Sequence, residues 1–171
     1  KKYETAIETA LGGSIQNIVT DNEETAKGMI SFLKQTKSGR ATFLPLNSIK
    51  NAQEFRQKEA LKEPGVLGLA HTLVHTDEKY GDVAKSLLGR IVVVDHVDHA
   101  TQLARKFKYS LRIVTLEGES LSPGGSISGG AFKNSSNLLG RRREIEELEW
   151  KVKAHAKAVD ELLVSIEDLK K

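Results

Sequence analysis

Apolar residues follow two different rules along this chain, and the change falls close to residue 140. Before it, helix-spaced stretches alternate with short β-branched runs. Tyr3 to Leu11 has the apolar spacing of a helix, with Gly12 placed as its C-terminal cap, and Tyr80 to Leu88 ends likewise at Gly89. "NIVT" (17–20) and "RIVVV" (90–94) read as buried strands, because β-branched side chains suit a pleated, packed surface. Asp21 and Asp95 stand where an N-cap belongs, ahead of helices predicted over Glu23 to Thr36 and Asp98 to Lys108. "RATFL" (40–44) and "LRIVTL" (111–116) are second strands. Gly65 to His75, "GVLGLAHTLVH", reads as another strand, and "NAQEFRQKEAL" (51–61) as a helix.

These elements form an internal repeat. "KYETAIETALGG" (2–13) parallels "KYGDVAKSLLGR" (79–90), with Lys-Tyr opening and Leu-Gly closing both. Aligning 17–34 with 91–108 places Asp21 on Asp95, Glu24 on Asp98 and Ala26 on Ala100. "GRATFLPL" (39–46) then falls against "LRIVTLEG" (111–118), Arg40 on Arg112. Each half is thus helix, strand, helix, strand: a first half over residues 1–50, a linker with a short helix over 51–64, and a second half over 65–140. The strand over Gly65 to His75 should have a counterpart in the first half. The sequence starts too late to contain it, so an N-terminal strand is expected to be missing.

From residue 141 the apolar positions are Ile145, Leu148, Val152, His155, Val159, Leu162, Ile166 and Leu169, spaced by three and four without a break. That is the heptad of a coiled coil, with β-branched residues at a and mostly leucine at d. Such a two-position stripe is narrower than a helix packed on its own domain needs, so it predicts a partner helix. In isolation these a and d residues favour a parallel dimer, and antiparallel pairing with a helix outside the chain is equally open. His155 is the polar exception in the seam. Trp150, at an outward f position, is not explained by the heptad.

Composition removes several chemistries. The 171 residues include no cysteine, which excludes disulfides and thiolate catalysis. No apolar run is long enough to span a bilayer, and the N-terminus lacks a signal peptide's apolar core, so a soluble protein is expected. A net charge of +3 permits nucleic-acid binding without demanding it. "DHVDH" (95–99) has the look of a metal cluster, but the equivalent residues of the first half are "DNEET", without histidine, and the shared feature is an acidic helix start. His71 and His75, read as strand residues, would lie roughly 13 Å apart. No nucleophile–base pair is visible; catalytic, cofactor and metal residues are all expected to be absent.

The densest glycine stretch is "LSPGGSISGGAFKNSS" (121–136). It lacks the lysine and hydroxyl of a phosphate-binding loop and does not open a helix, which leaves close approach of a second backbone. The candidate contact is Gly124, Gly125, Ser126, Ile127, Ser128, Gly129 and Gly130, and the neighbour a second subunit. Basic residues concentrate in two acid-free stretches, Lys27, Lys34, Lys37, Arg40 and Lys50, then Arg105, Lys106, Lys108 and Arg112. Arg141, Arg142 and Arg143 follow at the start of the coil.

"GRATFLPL", "RIVTLEGE", "SPGGSISGG" and "LLGRRREIEELE", in that order around a duplicated core, resemble the hinge domain of bacterial structural maintenance of chromosomes (SMC) proteins. The resemblance implies an α+β fold of two pseudo-symmetric α/β halves followed by a long coiled-coil helix. It implies a homodimer with the glycine pairs at its interface, in a cytoplasmic, nucleoid-associated protein of chromosome condensation and segregation. Weak, salt-sensitive DNA binding through Lys133 and Arg141 to Arg143 is implied, as is an antiparallel partner helix from a missing part of the same polypeptide. ATP hydrolysis would belong to a head domain outside this chain, which makes the present part non-enzymatic, without cofactor or membrane. The alternative is a coil-driven scaffold whose globular part caps the helix or senses a small molecule.

Overall fold

The computed structural model describes residues 2–50, 53–130 and 138–170, apart from the Arg142 side chain. It comprises two units, Lys1–Phe132 and Lys133–Lys171.

Each half of the first unit is built on a parallel strand–helix–strand. Ile18–Thr20 (β1) pairs with Phe43–Pro45 (β2) across helix Glu23–Thr36 (α2), and Ile91–Val94 (β4) pairs with Arg112–Thr115 (β5) across Val97–Lys106 (α4). Parallel neighbours cannot be joined by a tight turn, so a helix makes each connection. The ladders correct the sequence alignment of the halves. Ile18, which matches Val92, pairs with Phe43, whereas Val92 pairs with Ile113. Thr42, not Arg40, is therefore the counterpart of Arg112. The slip is explained by the helices: α2 has 14 residues and α4 has 10, one turn fewer.

Around β4 and β5 the second half completes a five-stranded sheet in the order β3-β4-β5-β6-β7, with Val66–Leu69 (β3), Ser120–Leu121 (β6) and Ile127–Ser128 (β7) all antiparallel to their neighbours. β4 is buried on both faces. Val92 and Val94 meet Leu103 and Ala104 of α4, Ile113 and Leu121. Ile91 and Val93 meet Leu88 of helix Gly81–Leu88 (α3), Val114, and Ala6, Ile7 and Ala10 of helix Glu4–Leu11 (α1). By sequence α1 belongs to the first half; by packing it is part of the second. Arg112 reinforces this, its Nη2 donating to the Ala10 carbonyl at 3.2 Å.

Several local expectations shift. The strand expected to reach His75 stops at Leu69, after a ladder irregularity at Val66–Gly68, and continues as a 3-10 turn over Ala70–Leu73 that contains His71. Among the described residues of 51–61 there is no α-helix; a 3-10 turn spans Lys58–Lys62. The N-caps lie one residue later than read. Asn22, not Asp21, accepts the Thr25 N–H at 2.9 Å, and His96 holds the cap position of α4 without a side-chain bond. α4 ends at Lys106 because Lys108 and Tyr109 take left-handed φ values of 53° and 55°.

In the second unit, Leu138–Leu169 (α5) is one helix of 32 residues, about 48 Å long. Ion pairs one turn apart, Arg143–Glu147 at 3.7 Å and Lys157–Glu161 at 3.8 Å, line it. Among the described residues no helix is long and apolar enough to cross a membrane.

Candidate functional site

The glycine stretch is two structures side by side. The first is a turn. Gly125 N–H donates to the Ser122 carbonyl at 3.0 Å around Pro123 and Gly124, and Gly124 has φ 92°, as the third position of a type II turn requires. Gly124 N–H donates to the Tyr109 carbonyl at 2.9 Å, and Gly125, with φ 96°, holds a second left-handed backbone position that favours glycine. Gly124 and Gly125 thus have an internal reason to be glycine. Tyr109, missed by sequence reasoning, anchors the turn through its carbonyl; nothing local marks it, because the bond joins segments fifteen residues apart.

The second structure is an edge. β7 pairs only with β6, Ser120 opposite Ser128 and Leu121 opposite Ile127. Its other side meets no strand among the described residues. Ser126, Ile127, Ser128, Gly129 and Gly130 are all exposed, and Ile127 leaves 57% of its surface open. A side chain on Gly130 would meet nothing within 4 Å. A side chain on Gly129 would crowd Glu119 Cγ at 2.9 Å; Glu119 is itself held by the Thr115 hydroxyl, which donates to its carboxylate and accepts its N–H. The strand is short, apolar at its centre and uncharged, which is the kind of edge another chain can pair with. Among the described residues, Ile127–Gly130 thus form an uncovered edge beside the turn made by Gly124 and Gly125.

A second open edge exists in the first half. Among the described residues β1 pairs only with β2, and Ile18 and Val19, at 39% and 37% exposure, contrast with the wholly buried β4. Apolar Met29, Ile30 and Phe32 of α2 are exposed as well.

Within α5 the seam forms a continuous exposed stripe: Ile145, Leu148, Val152, His155, Val159, Leu162, Ile166 and Leu169. Trp150 is exposed at 71%. Arg141 and Arg143 lie in the first two turns of the helix; Lys133 and the Arg142 side chain lie outside the described residues. Of the other basic residues, Lys106 pairs with Glu63 at 2.7 Å and Arg112 binds α1, so part of the second basic stretch is used inside the fold.

Comparison with known proteins gives one consistent result. The family model described as "SMC proteins Flexible Hinge Domain" matches residues 1–104. The chain is 48% identical over 149 residues to the chromosome partition protein Smc of Desulfitobacterium hafniense, covering 86% of this chain and 12% of that protein. To the Smc of Bacillus subtilis it is 47% identical over 151 residues, covering 86% and 13%. It therefore spans about one eighth of the length of these curated relatives. Among solved structures, the asymmetric dimer of the Geobacillus stearothermophilus SMC hinge domain is similar with a TM-score of 0.76 at 41% identity, covering 95% of this chain and 66% of that one. The Pyrococcus furiosus Smc hinge domain with an extended coiled coil has a TM-score of 0.62 at 32% identity, with coverage of 99% and 59%.

Proposed function

Because the chain belongs to the family of SMC flexible hinge domains, we propose that it is the homodimerisation module of a chromosome-organising protein, joining two coiled-coil arms and acting by association rather than catalysis. The observation that carries the reading is the bare edge of β7. A strand from a second copy would extend the main-chain ladder, cover Ile127 and approach closely where Gly129 and Gly130 present no side chain. β1, also paired on one side and leaving Ile18 and Val19 exposed, is taken as the matching edge, so a two-fold pair would engage both at once. That a similar hinge is an asymmetric dimer supports the association. A stable pair should bury at least about 1,000 Å² in total.

The exposed stripe of α5 is the beginning of an arm, and connectivity favours an antiparallel partner from elsewhere in the same polypeptide over the parallel pairing its a and d residues prefer. Lys133 and Arg141 to Arg143 supply weak, salt-sensitive DNA contacts at the start of that arm, consistent with a cytoplasmic, nucleoid-associated protein.

Light scattering on the full chain separates this reading from a coil-driven scaffold. Ile127→Lys should give folded monomers, while Leu162→Glu in the seam leaves dimers. The reverse pattern would place association in the heptads and favour the scaffold. A wild-type chain that stays monomeric, or dimers that survive Ile127→Lys unchanged, would refute the edge as the interface.

A further inference from the structure

A cluster that neither the dimer edge nor the coil uses lies at the start of α4. Asp95, His96 and His99 each offer one donor atom, and these atoms lie within 4.8 Å of one another. Local geometry brings them together. β4 ends at Val94, and the Asp95 carboxylate accepts the His96 N–H at 2.7 Å, which holds it over the first turn of the helix. His99 comes four residues later on the same face, its Nδ1 2.8 Å and 3.0 Å from the two Asp95 oxygens. The His96 ring stacks on His99, centroids 4.1 Å apart, with His96 Nε2 3.8 Å from Asp95 Oδ2. Gly65 closes the back of the cluster. Its carbonyl accepts the Asp95 N–H at 2.9 Å, and at its φ of 78° any side chain would collide with His99 Nδ1 and Asp95 Oδ1. The three side chains remain 29–48% exposed, so solvent and ions reach them.

We propose that Asp95, His96 and His99 bind one divalent transition-metal ion of the zinc, cobalt, nickel or copper class. Two imidazoles and a carboxylate are a donor set these ions accept, with the remaining positions open to water. Bonds of about 2.0–2.2 Å would draw the donors in from their present separation. His96 is the most exposed of the three, so its ring is the least hindered in making that movement. The ion replaces the Asp95–His99 hydrogen bond with coordination, and Gly65 leaves the space in which both side chains sit. The class of ion follows from the site's position. The positive end of α4 opposes a cation held by charge alone, and calcium or magnesium would want oxygen ligands. Metals that bond imidazole nitrogen are the ones that gain here. The first half carries "DNEET" at the equivalent place, so the site belongs to one half only. That argues against inheritance from the duplication and says nothing against a site acquired after it.

Titration of the untagged full chain with cobalt(II) chloride and with zinc chloride tests this. One ion should bind per chain, with a visible cobalt spectrum of nitrogen–oxygen coordination and a raised melting temperature. His96→Ala, at an exposed position, removes a ligand without touching the core. It should weaken zinc binding at least about tenfold, the cost already seen on losing a mere supporting group. His99→Ala should abolish stoichiometric binding, while His75→Ala and His155→Ala leave it unchanged. Absence of stoichiometric binding to the wild type overturns the site. So does binding that survives both His96→Ala and His99→Ala, or magnesium binding as tight as zinc.

Discussion

If α1 belongs to the core of the second half, weakening it must loosen strands about eighty residues away in sequence. Ile7 is the side chain to remove, being 5% exposed and clustered with Leu88, Ile91, Val93 and Val114. Ile7→Ala deletes three carbons, about 2.4 kcal/mol at about 0.8 kcal/mol per buried methylene. The flanking α1 residues in the cluster, Ala6 and Ala10, are too small to fill the space, so a cavity cost adds and the total comes to about 3 kcal/mol. At about 1.4 kcal/mol per tenfold, amides of β4 that exchange through global unfolding should lose about a hundredfold in protection. The melting temperature should fall by about 6–12 °C for a chain of this size. Hydrogen exchange read by mass spectrometry on peptides covering Ile91–Val94 gives the answer directly. Faster exchange confined to α1, with β4 unchanged, would mean that α1 frays independently and that the shared core is wrong.

Gly124→Ala should cost about 1–2 kcal/mol in urea unfolding, since its φ of 92° suits only glycine, whereas Gly13→Ala, at a position with no left-handed φ and open space, should cost far less; equal effects would refute the type II turn. Burial, and then the charge of Lys85, hold His71 below its ordinary value of 6.5, and its buried Nδ1 has no hydrogen-bond partner. The unfolded chain therefore takes up the proton first, so stability should fall as pH drops below about 6.5 and level off once folded His71 also protonates; a profile unaltered by His71→Gln would remove His71 as the cause. With Lys133 and three arginines engaged, log affinity for duplex DNA against log salt should have a slope of about −3 to −4, and replacing the arginines with glutamine should bring it to about −1. An unchanged slope in fluorescence anisotropy would show that those residues do not contact phosphate.

Much of this fold is written locally. The β-branched runs at β1 and β4 and the polar starts of α2 and α4 are readable because strand and helix preferences depend on neighbours in sequence. The heptads of α5 are readable for the same reason. Where reading failed, a distant partner or a left-handed residue decided the outcome. "AHTLVH" has the composition of a strand, yet Gly68, with φ 138°, breaks the ladder and Ala70 turns into the core. Matching Arg40 to Arg112 rested on residue identity, and the extra turn of α2 could only be counted once the ladders were known. The glycine stretch stands out in the sequence, but the left-handed φ of Gly124 and Gly125 and the Tyr109 carbonyl that anchors their turn belong to the folded chain alone.

The deepest divergence is between β1 and β4, which are nearly alike in composition and opposite in burial. β4 has a strand on each side and helices on both faces, because α1 places Ala6, Ile7 and Ala10 against it. The helix that precedes β1 in the chain is thereby committed to the second half. Among the described residues β1 is left with β2 alone, covered by α2 through a single buried residue, Ala26. Local sequence specifies that both segments are strands; only the destination of α1 specifies which of them is finished. An apolar strand left with one neighbour exposes main-chain donors and acceptors as well as side chains, and natural folds seldom leave such an edge without charge, proline or cover. β1 carries no charge, and neither does β7. Exposed, uncharged edges such as β1 and β7 are a liability in a monomer and an economical interface in a dimer, which is why the proposed pairing accounts for features that the fold of a single chain leaves without a reason.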